Sequence, residues 1–568
     1  MMNKFNNLPE LFYFQADKNE NNQHLLKLDS NNQVISMSWL ETKNLTKKIH
    51  NFLANKYLDE LERVLLVSEN RPEWMASDIA IMSNKLICVP NYTTYTSRDF
   101  EHILNDSQPV GLIVSNKNLL QTILIASEKV KYNFKFILCF DYFENNSISN
   151  LVFLNDLTDD NNDNNREKIK EIKRTDPACI IYTSGTQGNP KGVMLSHGGI
   201  LSNCEGALFL LKEFISKKAR FLTWLPLSHS YEHTVQFVQI ALGARVFYAE
   251  SIDKLIKNMG ECNPDIMTAV PRFYQNLYQK INASFNKTKG LKKYLINKML
   301  SLGEKVLFKN KLSNLEKVQN IICEKLVRKK IKAQFGGSLK LFISGGGALD
   351  KDVGVFLNAI GLPTLQGYGL TETSPVVSCN PKDDIRIDTV GPAFTANEVK
   401  IADDGEILVK GENVMLGYWN NEEETKKVLN DGWLSTGDIG HFENNYLKIT
   451  DRKKDILITP GGDNISPIKI ENDLLKIDFV EQTLVYGDNK PYLVALLVLN
   501  KEKSNILDEI ILKELEIVNK NLSKIEKIKK FIVIKDQFTI ENGLITPTLK
   551  LKRYKIIQKY KNELENLY

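Results

Sequence analysis

Short apolar runs alternate with amphipathic stretches through the first part of the chain, from Leu26 to about Phe143. The run VLLVSEN, from Val64, has the character of a buried strand, whereas PEWMASDIAIMSN, from Pro72, and DFEHILNDS, from Asp99, have helical spacing. Strands that alternate with helices predict a parallel sheet with helices on both of its faces.

The alternation resumes after the first third of the chain. Ser196 is placed to cap a helix, and RFLTWLP, from Arg220, follows as a strand. From Gly391 to Ile449 the strands become shorter and are separated by Gly, Asp and Asn, which predicts a small antiparallel, barrel-like unit. The remainder, from about Glu471, mixes strands with Lys/Glu-rich helical stretches and predicts a small α+β domain.

These patterns predict an α/β protein of two domains. The large N-terminal domain, residues 1–451, combines doubly wound parallel sheets with a small β-barrel at about residues 391–451 and a Lys-rich helical insertion at residues 282–335. A small α+β C-terminal domain follows at residues 452–568.

The Lys-rich insertion allows two interpretations. Apolar residues recur in it at helical spacing: Leu295, Met299, Leu302 and Val306, then Leu315, Val318, Ile322 and Leu326. The interpretation that the sequence favours is a helical hairpin that packs on the body of the domain and keeps its lysines in water. The alternative is a basic amphipathic surface that touches an anionic membrane.

Composition limits the class of protein. The 74 Lys and Arg residues against 69 Asp and Glu residues leave a net charge of +5, too little to indicate a nucleic-acid partner. The seven cysteines are scattered without a C-x-x-C pair, which argues for reduced thiols and against a metal knuckle. No signal peptide and no apolar run of roughly 18 residues is found. We therefore expect a cytoplasmic protein, with peripheral contact on the inner face of a membrane as the alternative that the Lys-rich insertion leaves open.

The stretch YTSGTQGNPKG, residues 182–192, has the composition of a phosphate-binding loop. It follows an apolar run that ends a buried strand. Glycine lets the backbone approach an anion closely, successive N–H groups form a concavity for its oxygens, and lysine adds a mobile positive charge. The spacing is not that of a Walker loop. The candidate polyphosphate ligands are Thr183, Ser184, Gly185, Thr186, Gly188 and Lys191.

Two later segments carry groups suited to a nucleotide base and a metal ion. SLKLFISGGGALDKDV, from Ser338, predicts a strand, a glycine turn and a helix, and a flat base could lie against Gly346, Gly347 and Ala348. In PTLQGYGLTETSP, from Pro363, two glycines are expected to open a loop. That loop offers an aromatic ring for adenine, a hydroxyl for phosphate and a carboxylate for Mg²⁺. The residues concerned are Gly367, Tyr368, Gly369, Thr371 and Glu372.

A third segment is suited to a ribose. Asp438, in DGWLSTGDIG, can accept hydrogen bonds from two vicinal hydroxyl groups. Arg452 follows within the run TDRKKD, where it is placed to reach ribose or phosphate. Either residue alone would more often belong to an ordinary turn.

Taken together, these segments resemble the signature motifs of the acyl-adenylate-forming, or AMP-binding, superfamily, which includes acyl-CoA synthetases, peptide-synthetase adenylation domains and firefly luciferase. The resemblance runs from Tyr182 to Lys550, most of the chain. It implies ATP on the phosphate loop, adenine on the glycine turn, Mg²⁺ on Glu372 and ribose on Asp438. Gln187 departs from the family, which usually has a second threonine there.

The resemblance also assigns roles that the residue types would not reveal. It implies that His229, in LSHSYEH, helps to wall the acyl-binding site. It implies that the C-terminal domain is mobile and that Lys454 is its hinge. It implies that Gly461 and Gly462 meet the pantetheine of CoA.

The catalytic set that the resemblance implies is Lys550, Glu372, Lys191 and Thr371. Lys550 lies in GLITPTLKLKR, where the usual serine–glycine before the lysine is Thr548-Leu549, a form like that of long-chain synthetases. The segment VPRFYQNLYQ, from Val270, also resembles a pattern of long-chain fatty acyl-CoA synthetases.

We therefore expect a fatty acid–CoA ligase that uses ATP, Mg²⁺ and CoA, forms acyl-AMP from a long-chain fatty acid and passes the acyl group to CoA. Three alternatives stay open: an acyl-carrier-protein synthetase, a ligase for another carboxylic acid, and a non-catalytic nucleotide-binding protein. The sequence does not indicate an oligomeric state.

Overall fold

A computed structural model describes residues 2–28, 33–145, 148–158, 165–183, 190–214, 218–500 and 506–568. The chain divides into two compact units. Within the described ranges, the larger unit holds residues 2–183, 190–399 and 409–434, and the smaller unit holds residues 400–408 and 435–568. The domain boundary at residues 451/452 and the hinge at Lys454 stay predictions.

The strands follow the predicted alternation with helices. In chain order they are β1 (Gln23–Leu28), β2 (Val34–Ser38), β3 (Arg63–Val67), β4 (Ile87–Asn91), β5 (Gly111–Val114), β6 (Phe136–Cys139), β7 (Leu151–Phe153), β8 (Pro177–Thr183), β9 (Lys191–Ser196), β10 (Arg220–Thr223), β11 (Arg245–Tyr248), β12 (Ile266–Ala269), β13 (Leu341–Ser344), β14 (Thr364–Gly369), β15 (Val376–Cys379), β16 (Asn397–Ile401), β17 (Glu406–Gly411), β18 (Gly417–Tyr418), β19 (Leu429–Asn430), β20 (Trp433–Glu443), β21 (Tyr446–Arg452), β22 (Leu457–Ile458), β23 (Asn464–Ile465), β24 (Val480–Tyr486), β25 (Leu493–Leu499) and β26 (Ile528–Ile534).

The α-helices are α1 (Leu8–Asn19), α2 (Trp39–Ala54), α3 (Pro72–Ser83), α4 (Ser97–Ser107), α5 (Lys117–Lys129), α6 (Asn165–Glu171), α7 (His197–Leu210), α8 (Ser230–Leu242), α9 (Leu255–Cys262), α10 (Pro271–Asn286), α11 (Gly290–Leu307), α12 (Asn314–Cys323), α13 (Lys329–Gln334), α14 (Lys351–Ala359), α15 (Glu422–Val428), α16 (Pro467–Leu474), α17 (Asp508–Lys520), α18 (Arg553–Lys559) and α19 (Lys561–Glu565). A π-helix spans Glu324–Arg328, and 3₁₀ turns span Met2–Lys4, Leu154–Asp156, Lys212–Phe214 and Thr371–Thr373.

Two eight-stranded sheets form the core of the larger unit. The first has the strand order β15-β14-β13-β12-β10-β11-β1-β2, and the second has the order β18-β9-β8-β4-β3-β5-β6-β7. Strands β10 to β14 run parallel in the first sheet, and β3 to β7 run parallel in the second. The central strands are almost continuously apolar because helices cover both faces of such sheets.

Local sequence explains how the helices begin. The Ser196 side chain accepts a hydrogen bond from the Gly199 N–H at 3.0 Å and caps α7, as the sequence predicted. Ser38 and Glu41 form a reciprocal capping box at the start of α2. These caps satisfy N–H groups that have no partner within the helix.

The predicted barrel region forms a five-stranded sheet. Its order is β16-β17-β20-β19, and β21 also pairs with β20. The β20–β21 pair is antiparallel and aligns Asp438 with Arg452.

The smaller unit has its own three-stranded sheet, in the order β24-β25-β26. Strand β25, LVALLVL, is buried along its whole length between two apolar clusters. One cluster includes residues of α16 and α17, and the other includes residues of α18 and α19. The fold class is therefore confirmed: an α/β protein with a large, mostly parallel N-terminal part and a separate small C-terminal part.

The Lys-rich insertion is helical, but its packing differs from the prediction. Met299 and Leu302 of α11 are buried in a cluster with residues of α14, as expected, whereas Val306 of the same predicted stripe is 51% exposed, so the prediction is wrong for that residue. The second predicted stripe is exposed by 42–69%, so the prediction that it packs is wrong for Leu315, Val318, Ile322 and Leu326. The reason is that α12 turns its other face, which carries Cys323, towards α11. Among the described residues, none of the helices has the length and apolarity needed to cross a bilayer.

Candidate functional site

Several functional residues predicted for the larger unit follow the ends of parallel strands in its first sheet. Strands β10, β12, β13 and β14 are parallel neighbours, so their carboxyl ends share one edge. His229, Pro271, Gly345 and Thr371 follow these ends in turn. Ligands of open parallel sheets bind beyond this edge.

The predicted phosphate loop connects β8 to β9 in the second sheet. These strands pair antiparallel, and Thr183 lies opposite Lys191. Thr183 and Lys191 therefore stand at the two ends of the loop. The other predicted loop ligands lie outside the described residues, together with Gln187: Ser184, Gly185, Thr186 and Gly188.

Lys191 is held by two side chains from the segment after β17. Its ammonium group forms an ion pair with Glu424 and stands 4.9 Å from the centroid of the Tyr418 ring. Lys191, followed by Lys427, lowers the pKa of Glu424 to about 2. Glu424 therefore stays ionised near neutral pH and neutralises Lys191.

Tyr418 links Lys191 to the predicted magnesium ligand. Its ring faces the ammonium group, and its hydroxyl donates a 2.9 Å hydrogen bond to Oε1 of Glu372. The main chain also holds Glu372 in place, because the Met415 N–H donates to the Glu372 carbonyl at 2.9 Å. One tyrosine thus spans a cation and a carboxylate that are 181 residues apart in sequence.

Helix α8 positions the loop that carries Thr371 and Glu372. The hydroxyl groups of Ser230 and Thr371 lie 2.9 Å apart. One turn later, the Thr234 hydroxyl donates to the Ser374 carbonyl at 2.9 Å. The two contacts hold the loop at both ends, which fixes the Thr371 hydroxyl at the edge of the sheet.

His229 is the N-cap residue of α8. Its Nδ1 accepts a hydrogen bond from the Tyr231 N–H at 3.1 Å, which satisfies a free donor of the first turn. The ring is half-buried. Its predicted contact with an acyl chain stays a prediction.

The glycine turn after β13 packs against the same helix. A Cβ atom at Gly345 would come within 2.8 Å of the Tyr231 ring, so the close approach requires glycine. Gly346 has a φ of +79°, a left-handed conformation that glycine adopts without steric cost. Gly347 and Ala348 are exposed. The turn presents main chain and little side chain, which is what the predicted base-binding surface requires.

The expectation that Gly367 and Gly369 open a loop is wrong. Gly367, Tyr368 and Gly369 form the end of β14 and pair antiparallel with β15. A Cβ atom at Gly369 would lie 1.8 Å from the Pro375 carbonyl oxygen. Glycine at this position therefore lets the chain that leads back into β15 pass close to β14. Tyr368 is only 8% exposed, and its stacking on adenine stays a prediction.

The residues present suit a magnesium ion that is completed by substrate. Glu372 offers a half-buried carboxylate beside the Thr371 hydroxyl. Within the described ranges, no group of three or more His, Cys, Asp and Glu side chains is arranged to hold a metal by itself. Mg²⁺ commonly binds through one or two carboxylates, with water and phosphate oxygens as its other ligands. A single carboxylate at the edge of the sheet fits that pattern.

Two ionisable side chains of α8 are buried behind the site. Nε2 of His233 donates to Oδ2 of Asp78 at 3.0 Å; burial lowers the His233 pKa, but the Asp78 carboxylate outweighs it and raises the pKa to about 10. Burial raises the pKa of Glu232 to about 7, although its Oε2 accepts a 2.8 Å hydrogen bond from Thr268. The two groups belong to the interior polar structure that supports α8.

In the smaller unit, the structure brings together the predicted ribose residues. Oδ1 of Asp438 lies 3.3 Å from Nε of Arg452, its neighbour across β20 and β21. The Asp438 N–H donates to Oγ1 of Thr436 at 3.1 Å. Lys454 is exposed in the turn after β21, and Gly461 and Gly462 form the exposed turn between β22 and β23.

Lys550 stands on a tight turn of the smaller unit. The Lys550 N–H donates to Oγ1 of Thr546 at 3.0 Å, and the Lys550 carbonyl accepts from the Thr546 N–H at 2.8 Å. Leu549 has a φ of +62°, so the backbone keeps the left-handed conformation that glycine favours at the family's usual serine–glycine. Lys550 is exposed at the end of this turn.

Sequence reasoning missed four residues that organise the larger unit's site: Ser230, Tyr231, Tyr418 and Glu424. Tyr418 lies in the segment GYWN, and the residue type alone indicates no role for the tyrosine. Glu424 lies in the run NEEET, which has the composition of an ordinary helix start. Only the pairing of β18 with β9 reveals that this segment meets Lys191.

Comparison with known proteins agrees with this geometry. Residues 12–419 match the model of the family described as AMP-binding enzyme, and residues 454–568 match the AMP-binding enzyme C-terminal domain. The chain is 30% identical over 531 residues to the long-chain-fatty-acid–CoA ligase FadD15 of Mycobacterium bovis, covering 89% of this chain and 88% of the relative. It is 32% identical over 545 residues to the peroxisomal long chain acyl-CoA synthetase 6 of Arabidopsis thaliana, covering 88% and 76%.

A solved structure shares the fold. The adenylation domain of a carboxylate reductase from Mycobacterium chelonae superposes with a TM-score of 0.76 at 19% identity, covering 99% of this chain and 91% of that one. The resemblance that the motifs carried is therefore confirmed. The chain belongs to the AMP-binding enzyme family, the superfamily of acyl-adenylate-forming enzymes.

Proposed function

We propose that this protein activates a long-chain fatty acid with ATP, giving acyl-AMP and pyrophosphate, and then transfers the acyl group to CoA, giving acyl-CoA and AMP. The relatives named as long-chain ligases support this substrate class. The observation that carries the chemistry is the connected set Lys191, Tyr418, Glu372 and Thr371 beside the glycine turn. It offers a cation, a metal ligand and a hydroxyl at one edge of the sheet.

The site must first bring two anions together. At about 4 Å and an effective dielectric constant near 20, a carboxylate and a phosphate repel by roughly 4 kcal/mol per pair of charges. Lys191 offsets part of this once the polyphosphate has replaced Glu424 as its partner. Bound at Glu372, Mg²⁺ would supply further charge neutralisation on the phosphate oxygens.

The remaining roles rest on the family resemblance. Lys550 would bridge the carboxylate and the α-phosphate during adenylation, and Asp438 would bind the ribose. No side chain needs to act as a covalent nucleophile, because the fatty carboxylate itself displaces pyrophosphate. Lys454 would act as hinge before the second half-reaction, in which Gly461 and Gly462 meet CoA.

The substrate class has an energetic rationale. Burial of one methylene group contributes about 0.8 kcal/mol, so a sixteen-carbon chain contributes on the order of 10 kcal/mol before the cost of ordering it. An enzyme that buries the chain would therefore distinguish acids by length. His229 and the first turn of α10, beyond β10 and β12, are the residues we expect nearest to the chain.

The test is ATP–pyrophosphate exchange driven by a panel of fatty acids of increasing length, with the Glu372→Gln variant as control. We expect exchange with palmitate that Glu372→Gln weakens together with its response to Mg²⁺. Exchange driven only by an aromatic or amino acid would refute the substrate class. If neither fatty acids nor other carboxylic acids drive exchange, the protein would be a non-catalytic nucleotide-binding protein. Palmitate could drive exchange while only acyl carrier protein, and not free CoA, accepts the acyl group. In that case the proposal that CoA is the acceptor would be wrong.

A further inference from the structure

The helical insertion has an apolar face that the fold leaves uncovered. Eight large apolar side chains of α11, α12 and the π-helix are between 42% and 73% exposed: Leu291, Tyr294, Val306, Leu315, Val318, Ile321, Ile322 and Leu326. Leu315, Val318, Ile322 and Leu326 follow one another at intervals of three or four residues. Such spacing places them on one side of the helix.

The opposite side anchors the insertion firmly. The buried Arg328 guanidinium donates to the carbonyls of Ala359 at 2.9 Å and Met299 at 3.1 Å, and to Oδ1 of Asn320 at 2.8 Å. A Cβ atom at Gly303 would lie 2.5 Å from the main chain of Ala359, so α11 and α14 are in close contact. The exposed face therefore belongs to fixed helices.

Positive charge is concentrated in the same segment. Residues 287–335 contain 14 Lys and Arg residues against three Glu residues, a net charge of +11, so the rest of the chain carries −6. Two of the glutamates, Glu316 and Glu324, already form ion pairs within the segment. Lys325, Lys329 and Lys330 are exposed next to the apolar side chains.

We propose that residues 287–335 form a docking surface for an anionic lipid bilayer. Interfacial helices bind bilayers through exposed apolar side chains combined with Lys and Arg, whose long stems let the charge reach the headgroups. A nucleic acid would match the charge but would leave eight large apolar side chains in water. A second copy of the chain would match the apolar face but would bring +11 against +11. An anionic bilayer satisfies both features.

The surface continues directly from α10. That helix begins at Pro271, 3.5 Å from a Cβ placed on Gly347 of the glycine turn, and ends at Asn286, just before the basic segment. If the proposed function holds, the bilayer in which long-chain acids dissolve would lie one helix length from the site. Docking itself requires neither ATP nor an acid, so the two proposals fail independently.

The test is sedimentation of the full chain with vesicles of phosphatidylcholine, with and without phosphatidylglycerol, over a range of salt concentrations. We expect binding that requires phosphatidylglycerol and weakens with salt. Lys325→Gln/Lys329→Gln/Lys330→Gln should lower the partition coefficient on the order of 100-fold, since each lysine near an anionic surface contributes about fivefold. Leu315→Ser/Val318→Ser/Ile322→Ser should lower it by at least about tenfold.

Matched controls lie on α5 of the same unit and two residues beyond its end. Lys117→Gln/Lys129→Gln/Lys131→Gln removes the same charge, and Ile125→Ser removes an apolar side chain that is 51% exposed. Both should stay within about twofold of the unchanged chain. Equal loss in the controls, or binding that ignores phosphatidylglycerol, would overturn the proposal. So would a concentration-dependent dimer that the Leu315/Val318/Ile322 variant abolishes, because a second copy would then cover the face.

Discussion

Removal of one hydroxyl group tests whether the cation and the carboxylate of the site work as a unit. Tyr418→Phe deletes the 2.9 Å hydrogen bond to Glu372 and keeps the ring that lies 4.9 Å from Nζ of Lys191. A hydrogen bond to a charged group contributes about 1.5–3 kcal/mol. Because Glu372 is only half-buried, we take the lower value of about 1.5 kcal/mol, which is roughly a tenfold loss in kcat/KM.

The assay is ATP–pyrophosphate exchange as a function of ATP and Mg²⁺. We expect kcat/KM for ATP to fall about tenfold and the required Mg²⁺ concentration to rise. Tyr486→Phe is the matched control, because the Tyr486 hydroxyl donates to Oε1 of Glu565 at 2.6 Å in the smaller unit. It should change kcat/KM by less than about twofold.

A double-mutant cycle with Glu372→Gln makes the test decisive. If the hydroxyl acts through the carboxylate, Tyr418→Phe should lower kcat/KM for ATP much less in the Glu372→Gln background than in the unchanged chain. Fully additive losses would mean that the 2.9 Å contact has no part in catalysis.

Three further perturbations follow from the structure. Lys550→Ala should lower exchange at least about 100-fold while thioester formation from supplied acyl-AMP changes little; equal loss in both half-reactions contradicts the assigned role. Burial raises the Glu232 pKa to about 7 from 4.5, so its contribution to stability is complete below about pH 4.5 and is lost as the pH rises through 7. Glu232→Gln should therefore reduce the difference between the free energies of unfolding at pH 5 and pH 8 by up to about 3 kcal/mol; an unchanged difference refutes this. His233→Leu leaves Asp78 buried without its cation and should lower the stability of the larger unit by about 3–5 kcal/mol in thermal unfolding; an unshifted midpoint would argue against a charged pair.

Local sequence was sufficient to predict most elements of the fold, although Gly367 and Gly369 end a strand where a loop was expected. Alternating apolar and amphipathic segments gave the parallel sheets, and Ser196 marked the start of α7 because capping depends on residues only three positions apart. The phosphate loop, the glycine turn and the Asp438 segment were likewise visible as continuous motifs.

What local sequence could not predict depends on contacts between distant segments. Tyr418 and Glu424 meet Lys191 only because β18 pairs with β9, and neither carries a pattern that would indicate this. The stripe at Leu315 and Ile322 has helical periodicity, but periodicity identifies an apolar face without telling whether another element covers it. Both errors therefore arise from tertiary contacts, which local sequence does not indicate.

The charge balance of the larger unit's site indicates that it needs additional cations to bind a polyphosphate. Lys191 is already neutralised by Glu424, and Glu372 adds a further negative charge, so these three side chains together carry −1. This net negative charge would repel a polyphosphate unless a further cation is bound. Mg²⁺ at Glu372 is one source, and the family role of Lys550 would supply another. We therefore expect polyphosphate to bind at these three side chains more tightly with Mg²⁺ than without it.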